Sequence, residues 1–295
     1  MEQLTYFDRA SQSIETENIY GGFFLRFMYQ HWVGKALVPL IARGAWFSKL
    51  YGFVQKLGFT KKKVKPFIER FGVDASEFQR CDFASFNDFF TRRLKKEARP
   101  IDPDSEQIAM PADGRYLVIN DLSTADGIWV KGKTFDLAEL LGSSELAHRY
   151  RDGALVIARL CPVDYHRFHF PCACVPSNPK LVNGPLYSVS PIALKKNIGI
   201  FHENKRVVTE LATEGFGSIQ CVEVGATNVG SIVQTHEPCK AVEKGAEKGY
   251  FEFGGSCMLL LFEKGRVEFE KDLLEYSTKR IEVRALMGQP LARRK

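Results

Sequence analysis

The sequence predicts an α+β protein in which helices come first and a β-rich body follows. Three observations lead there. The first hundred or so residues carry apolar and aromatic side chains in helix-like runs; from about residue 101 short apolar runs alternate with Gly, Asp and Pro turn signals; and near the far end two glycines stand between two runs of strand-forming residues. At 295 residues the chain can bury a sizeable core.

Taken in order, residues 19–58 hold Tyr20, Phe23, Phe24, Phe27, Tyr29, Trp32, Trp46, Phe47, Tyr51 and Phe53, punctuated by Arg26, Lys35, Arg43, Lys49 and Lys56. Aromatic helices interrupted by cations suit a membrane interface, with rings at headgroup level and Lys or Arg meeting phosphate. Packing on the core is the other reading of the same pattern. Lys61, Lys62, Lys63 and Lys65 precede a helix through residues 67–71. Facing anionic lipid, each would contribute about 1 kcal/mol, although a solvated face is the commoner fate of such a run. Residues 86–94 read as a helix that ends before Arg99-Pro100, where proline enforces an extended exit.

The body then opens with a strand after Asp113-Gly114 at residues 115–119, a strand at 128–130 with a glycine turn at 132, and a short helix at 135–141 closed by Gly142. Residues 154–160 and 218–224 read as buried strands. No internal repeat or low-complexity linker interrupts the chain. The organisation is therefore a helical, membrane-associating region over residues 1–100 and a β-rich core over 101–295.

Composition narrows the class. The formal charge of +6 is modest: it would suit a weak attraction to anionic lipid or nucleic acid, but a solvated basic surface is its default explanation and no nucleic-acid partner is expected. An odd count of seven cysteines without a framework fits a reducing compartment and free thiols. The first residues lack the charged and apolar regions of a signal peptide. No window approaches about 18 uncharged apolar residues, so a spanning helix is not expected.

Candidate chemistry centres on Gly254-Gly255-Ser256, which follows Gly249-Tyr250-Phe251-Glu252-Phe253 and leads into Cys257-Met258-Leu259-Leu260-Leu261-Phe262. Glycines here permit a sharp bend that presents one hydroxyl, and a plain turn between two strands is the commoner use of such residues. A serine aimed at its own preceding carbonyl would need a base and a charge partner. Asp113, in Pro111-Ala112-Asp113-Gly114, offers a carboxylate, and Asp164-Tyr165-His166-Arg167-Phe168-His169 holds two of only six histidines. Asp, His and Ser from separate segments can form a set in which His takes the serine proton and Asp orients the ring. The spacing of His166, His169, Cys172 and Cys174 also suggests zinc at a glance, but the second knuckle is missing, and residues three apart on a strand point to opposite faces, so no metal is expected.

These residues resemble the phosphatidylserine decarboxylases, pyruvoyl-dependent lyases. The resemblance spans roughly residue 85 to the C-terminal region and rests on five ordered motifs: Phe89-Phe90-Thr91-Arg92-Arg93-Leu94 with Ala98-Arg99-Pro100-Ile101; Pro111 to Gly114; Asp164 to His169; Val224-Gly225-Ala226-Thr227-Asn228-Val229-Gly230-Ser231-Ile232; and Lys244-Gly245 leading into Gly249 to Ser256. It implies a proenzyme that cuts itself between Gly255 and Ser256, with Asp113, His169 and Ser256 as the self-processing triad. Ser256 would become an N-terminal pyruvoyl group that forms a Schiff base with the substrate amine, and His166 would be the general acid that protonates the substrate carbon. Chains 1–255 and 256–295 would stay associated, acting on phosphatidylserine in an anionic membrane to make phosphatidylethanolamine, peripherally, at the cytoplasmic face of the cell membrane. The sequence leaves the oligomeric state open, a homodimer included. One departure is Cys257, where the family usually has Ser or Thr; its thiol could still offer a weak hydrogen bond and bears on the processing rate. A serine hydrolase acting on an external ester and an uncut lipid-binding protein remain the alternatives.

Overall fold

A strand buried on both faces has to be apolar almost throughout, and all seven residues of Ser256–Phe262 are buried. In a computed structural model, which describes residues 4–18, 21–22, 27–29, 31–34, 37–38, 45–124, 136–226, 231–254 and 256–295, this strand lies at the centre of a ten-stranded sheet. In chain order the strands are β1 (Thr5–Asp8), β2 (Ser13–Thr16), β3 (Gln107–Ala109), β4 (Gly114–Ile119), β5 (Ala154–Leu160), β6 (Arg167–His169), β7 (Val175–Pro176) and β8 (Lys180–Val182). They continue with β9 (Arg206–Ala212), β10 (Ser218–Gly225), β11 (Ile232–Gln234), β12 (Glu247–Phe251), β13 (Ser256–Phe262), β14 (Val267–Phe269), β15 (Glu282–Ala285) and β16 (Pro290–Arg294). The large sheet runs β2-β1-β15-β4-β5-β13-β10-β9-β7, with β8 also on β9; β11-β12-β6 and β14-β16-β3 form two small sheets.

Alternation along β13 divides the interior. Met258, Leu260 and Phe262 pack with Val156, Ile219, Phe168 and Phe251, so the small sheets cover this face. Cys257, Leu259 and Leu261 point the other way, among Leu155, Val222, Leu140 and Phe201, where helices cover the sheet. A third cluster is built of aromatic rings: Phe67, Phe78, Phe83, Phe86, Phe89, Phe90 and Phe253.

Most of the expected elements are present. The expected strands at 115–119, 154–160 and 218–224 are β4, β5 and β10. The short helix is Leu137–Leu141, capped by Asp136 and ended by Gly142 at φ 63°, a conformation that favours glycine. The helix expected over 86–94 spans only Phe86–Phe90, because Leu94 turns back to bridge Phe78. The strand expected at 128–130, the glycine turn at 132, residues 227–230, Gly255 and much of the aromatic run between 19 and 44 lie outside the described residues. Among the described residues, no helix is long and apolar enough to cross a membrane.

The N-terminal stretch departs from the helical expectation. Thr5–Thr16 is a β-hairpin, and β1 lies parallel to β15, with Tyr6 opposite Glu282 and Asp8 opposite Arg284. A strand whose partner lies at the other end of the chain leaves little local signal, and the polar outer strand Ser13–Thr16 masks what there is. Charges fix the hairpin: Arg9 grips Asp272 at 2.6 and 2.8 Å, Asp8 accepts from Arg284 at 2.6 Å, and Glu17 accepts from Arg159 at 2.6 and 3.0 Å.

Burial pushes the Glu17 carboxyl up, but the cations of Arg159 and Arg115 and its hydrogen bonds reverse this, leaving it at about 2 against an ordinary 4.5. A carboxylate depressed in the folded state stabilises fully above its unfolded value, and that contribution is lost as pH falls from about 4.5 through about 2. At roughly 1.4 kcal/mol per unit this is on the order of 3 kcal/mol. Urea melts of wild type and Glu17→Gln should therefore converge as pH is lowered through this window; a gap independent of pH would refute the linkage.

Candidate active site

Ser256 opens β13, opposite Leu160 of β5 and Gly225 of β10. It is completely buried, and its Oγ has no hydrogen-bond partner. A buried hydroxyl without a partner is costly, so its retention points to chemistry. The approach is controlled from the helix Phe86–Phe90. Ser85 caps that helix, and the Asn87 side chain accepts the Phe253 amide proton at 2.9 Å. The Phe253 ring then packs on Phe86 and Phe90 at 5.1 and 5.0 Å between centroids. Gly254 follows at φ 144°, a backbone angle closed to most residues.

The same Phe90 ring lies 3.8 Å from the ring of His166, so one aromatic side chain couples this histidine to the segment leading into Ser256. His166 is completely buried. Its Nδ1 lies 3.0 Å from the Asp164 carbonyl, which can only accept, so Nδ1 carries the proton and Nε2, which has no partner, is a bare lone pair. Burial, with a smaller push from Arg92, lowers its pKa to about 3, so the ring is neutral near pH 7.

His169 repeats the arrangement. Its backbone N–H donates to Pro111 at 2.8 Å, its Nδ1 meets the Gly245 carbonyl at 3.0 Å, and Nε2 has no partner. Burial lowers its pKa as well, against the pull of Glu247 and Asp113. Gly245 sits at φ 80°, and a Cβ there would lie 2.0 Å from Ile101. Asp113 is buried at the start of β4, but its oxygens are taken by Arg99, at 2.8 Å from Nε and 2.6 Å from Nη2, and by the Met287 amide at 2.8 Å. No hydrogen bond joins Asp113, His169 and Ser256 to one another in this arrangement. Asp113 acts on His169 through its charge, and the Gly245 carbonyl orients the ring.

Cys257 lies on the opposite face of β13 from Ser256, in the core under the helices, where burial pushes its thiol up. It is not placed to hydrogen-bond Ser256.

The family model for phosphatidylserine decarboxylase matches residues 86–293, about two thirds of the chain. The chain belongs to the phosphatidylserine decarboxylase family. A "phosphatidylserine decarboxylase proenzyme" of Chlamydia pneumoniae is 46% identical over 295 residues, covering 99% of this chain and 98% of the relative. One of Chlamydia caviae is 45% identical, covering 99% of each. The likeness to these decarboxylases thus extends through the N-terminal hairpin and the helices that precede the matched region. Sequence reasoning singled out Asp113, His166, His169 and Ser256. It did not single out Asn87, Arg92, Arg99 or the Gly245 carbonyl as supports. Arg92, Arg99 and Gly245 stand inside the decarboxylase motifs, but backbone partners leave no residue-type signature.

Proposed function

We propose that the chain cuts itself between Gly255 and Ser256 and that the two products together decarboxylate phosphatidylserine to phosphatidylethanolamine. One observation carries the first step: the completely buried Ser256 Oγ has no partner, and two residues before it Gly254 is held at φ 144°. In the uncut chain a serine sealed from solvent is poorly placed to meet an external ester, which disfavours the hydrolase reading, whereas the proposed decarboxylation needs access to residue 256 only after the chain has been cut beside it. Its own preceding carbonyl is the acyl group within covalent reach.

In this reading His169 Nε2 takes the Ser256 proton, and Oγ attacks the Gly255 carbonyl. The amide nitrogen leaves the carbonyl carbon, giving an ester. Removal of the Ser256 α-proton expels the Gly255 carboxylate, and addition of water then releases ammonia, leaving a ketone at residue 256. Chain 1–255 and chain 256–295 would stay joined, because β13 lies between β5 and β10, and β15 between β1 and β4.

A pyruvoyl group at residue 256 fits what surrounds it: a dry strand end beside Leu160 and Gly225, with the free Nε2 of His166 coupled to it through Phe90 and Phe253. Once formed, the group would supply a carbonyl that binds the substrate amine and accepts the electron pair left when carbon dioxide departs. His166 moves the protons. Its Nε2, bare at rest, takes one from the headgroup ammonium and returns one to the α-carbon. Exclusion of water favours loss of the charged carboxylate as neutral carbon dioxide. Intact mass spectrometry tests the whole: two fragments, the shorter with a blocked N-terminus, support it, and a single unmodified active chain refutes it.

We assign residues 1–100 the added task of peripheral membrane docking, at the cytoplasmic face of the cell membrane. Leu50, Phe53 and Phe59 are more than half exposed, beside Lys61, Lys62 and Lys63. The helix Ala45–Lys56 that carries two of them also reaches the segment before Ser256, through Tyr51 on Phe253 at 5.9 Å and Lys56 on Glu252 at 2.6 Å. A lipid-seated face would thus lie next to the reacting residue. Replacing Phe53 and Phe59 with serine should weaken binding to anionic vesicles, read by flotation, by about a hundredfold or more, since each buried ring is worth about 1.5 kcal/mol or more. Unchanged flotation would return these side chains to an ordinary solvent-facing role.

A further inference from the structure

The turn that carries His166 rests on a buried cluster of charges that neither the self-cleavage nor the proton transfer uses. Its members are Glu17, Arg115, Arg159 and Asp164, with side chains 6%, 5%, 4% and 3% exposed. Arg159 donates to both oxygens of Glu17, at 3.0 and 2.6 Å, and to both oxygens of Glu282, at 3.0 and 2.6 Å. Arg115 has its Nε 3.7 Å from Glu17, lies over the Tyr6 ring at 4.5 Å, and donates from Nη1 to Asp164 Oδ2 at 3.1 Å.

Asp164 converts this charge pattern into position. Its Oδ2 also accepts the Cys161 amide proton at 2.6 Å, and its own amide donates to the Cys161 carbonyl at 2.8 Å, closing the turn. Its carbonyl is the group that accepts from His166 Nδ1 at 3.0 Å and from Arg92 Nη2 at 3.1 Å. Two guanidinium groups share one small buried space here, and their mutual repulsion is contained because Glu17 faces both. Without Glu17 they are left with Asp164 and Glu282 as the neighbouring carboxylates, and the Asp164 side chain is pulled toward the uncompensated charge. Losing one partner of a buried network leaves the others desolvated and unpaired, so the rearrangement is strongly driven.

We propose that Glu17, delivered by the N-terminal hairpin, is a positioning residue for decarboxylation. By neutralising Arg115 and Arg159 it holds the Asp164 turn, and through the Asp164 carbonyl it fixes His166 with Nδ1 protonated and Nε2 free. The inference rests on the reading of His166 as the residue that delivers the proton. It gives the hairpin a part in the chemistry, although the hairpin lies outside the residues that the family model matches.

The test uses the full chain as Glu17→Ala, Glu17→Gln, His166→Ala and the Glu17→Ala/His166→Ala double variant. Fragment formation is followed on denaturing gels, and His166 by long-range proton–nitrogen NMR of the imidazole. The wild type should show one Nδ1-protonated tautomer, and Glu17→Ala a mixture. Glu17→Ala should still cut itself, with kcat down on the order of tenfold, as for a displaced catalytic group, and KM within about twofold. In the double variant the loss of Glu17 should cost nothing beyond His166→Ala, because both act through one ring. If Glu17→Ala does not fold, the tautomer spectrum of Glu17→Gln, which keeps the side-chain length, decides instead. A wild-type tautomer and kcat in the Glu17 variants, with His166→Ala inactive, would overturn the inference and leave the role of His166 standing; additive losses in the double variant would overturn it equally. A fully active His166→Ala would remove the reading on which the inference rests.

Discussion

Ser256→Ala is expected to accumulate as one uncut polypeptide with no decarboxylase activity. The variant separates chemistry from folding unusually well. The Ser256 Oγ makes no hydrogen bond, so its removal breaks none and empties little volume from a strand end whose other residues, Cys257 to Phe262, remain buried. The sheet order around β13 depends on backbone pairing with Leu160 and Gly225, which alanine keeps. The urea midpoint should therefore stay close to that of the wild-type precursor while both cleavage and activity disappear. Denaturing gels and intact mass read the first outcome, and release of carbon dioxide from phosphatidylserine reads the second. Normal fragments from this variant would end the self-cleavage proposal. A variant that stays uncut yet decarboxylates at the wild-type rate would end the assignment of the ketone to residue 256.

How far such expectations could be reached without coordinates depended on whether the partners were local. The buried strand β5 announces itself as an apolar run broken only by Arg159, β10 shows Ile219, Cys221, Val222 and Val224 between polar residues, and the Gly142 terminus and the Asp113-Gly114 turn are local backbone events. The placement of β1 beside β15 is not local: it joins Tyr6 to Glu282 across almost the whole chain. The strands at 282–285 and 290–294 carry arginines and a proline, a composition that does not read as core until β4 and β3 are known to pair with them. The site divides the same way. Residue types named Asp113, His166, His169 and Ser256 as chemically able. Only the fold reveals that Asp113 is occupied by Arg99, that Gly245 and Asp164 orient the two rings with backbone carbonyls, and that Cys257 faces the other core. Backbone acceptors belong to every residue, so composition does not point to them.

His166→Ala should complete self-cleavage and then lose decarboxylation by about a hundredfold or more, the usual worth of a positioned acid or base. Cleavage survives because the ring assigned to it, His169, is held by a different carbonyl and a different strand pairing. The loss exceeds what repacking alone would bring. The variant leaves a gap beside Phe90, and some stability goes with it, so rates must be compared well below the melting transition. The pH dependence of the wild type supplies a check that packing does not affect. With a pKa of about 3, His166 is neutral over the whole physiological range and its Nε2 stays bare. A depressed imidazole pKa means that this group contributes no change in rate as pH crosses the ordinary histidine value, and that protonation at rest begins only far below it. A wild-type profile that falls as a group titrates near 6.5, and that flattens in His166→Ala, would show the ring to be charged at rest. In that case the proton would come from solvent, and the shuttle from headgroup ammonium to α-carbon would be wrong. A profile flat through this range, with His166→Ala cut but inactive, is the result expected of an imidazole that must borrow a proton from its substrate before it can give one back.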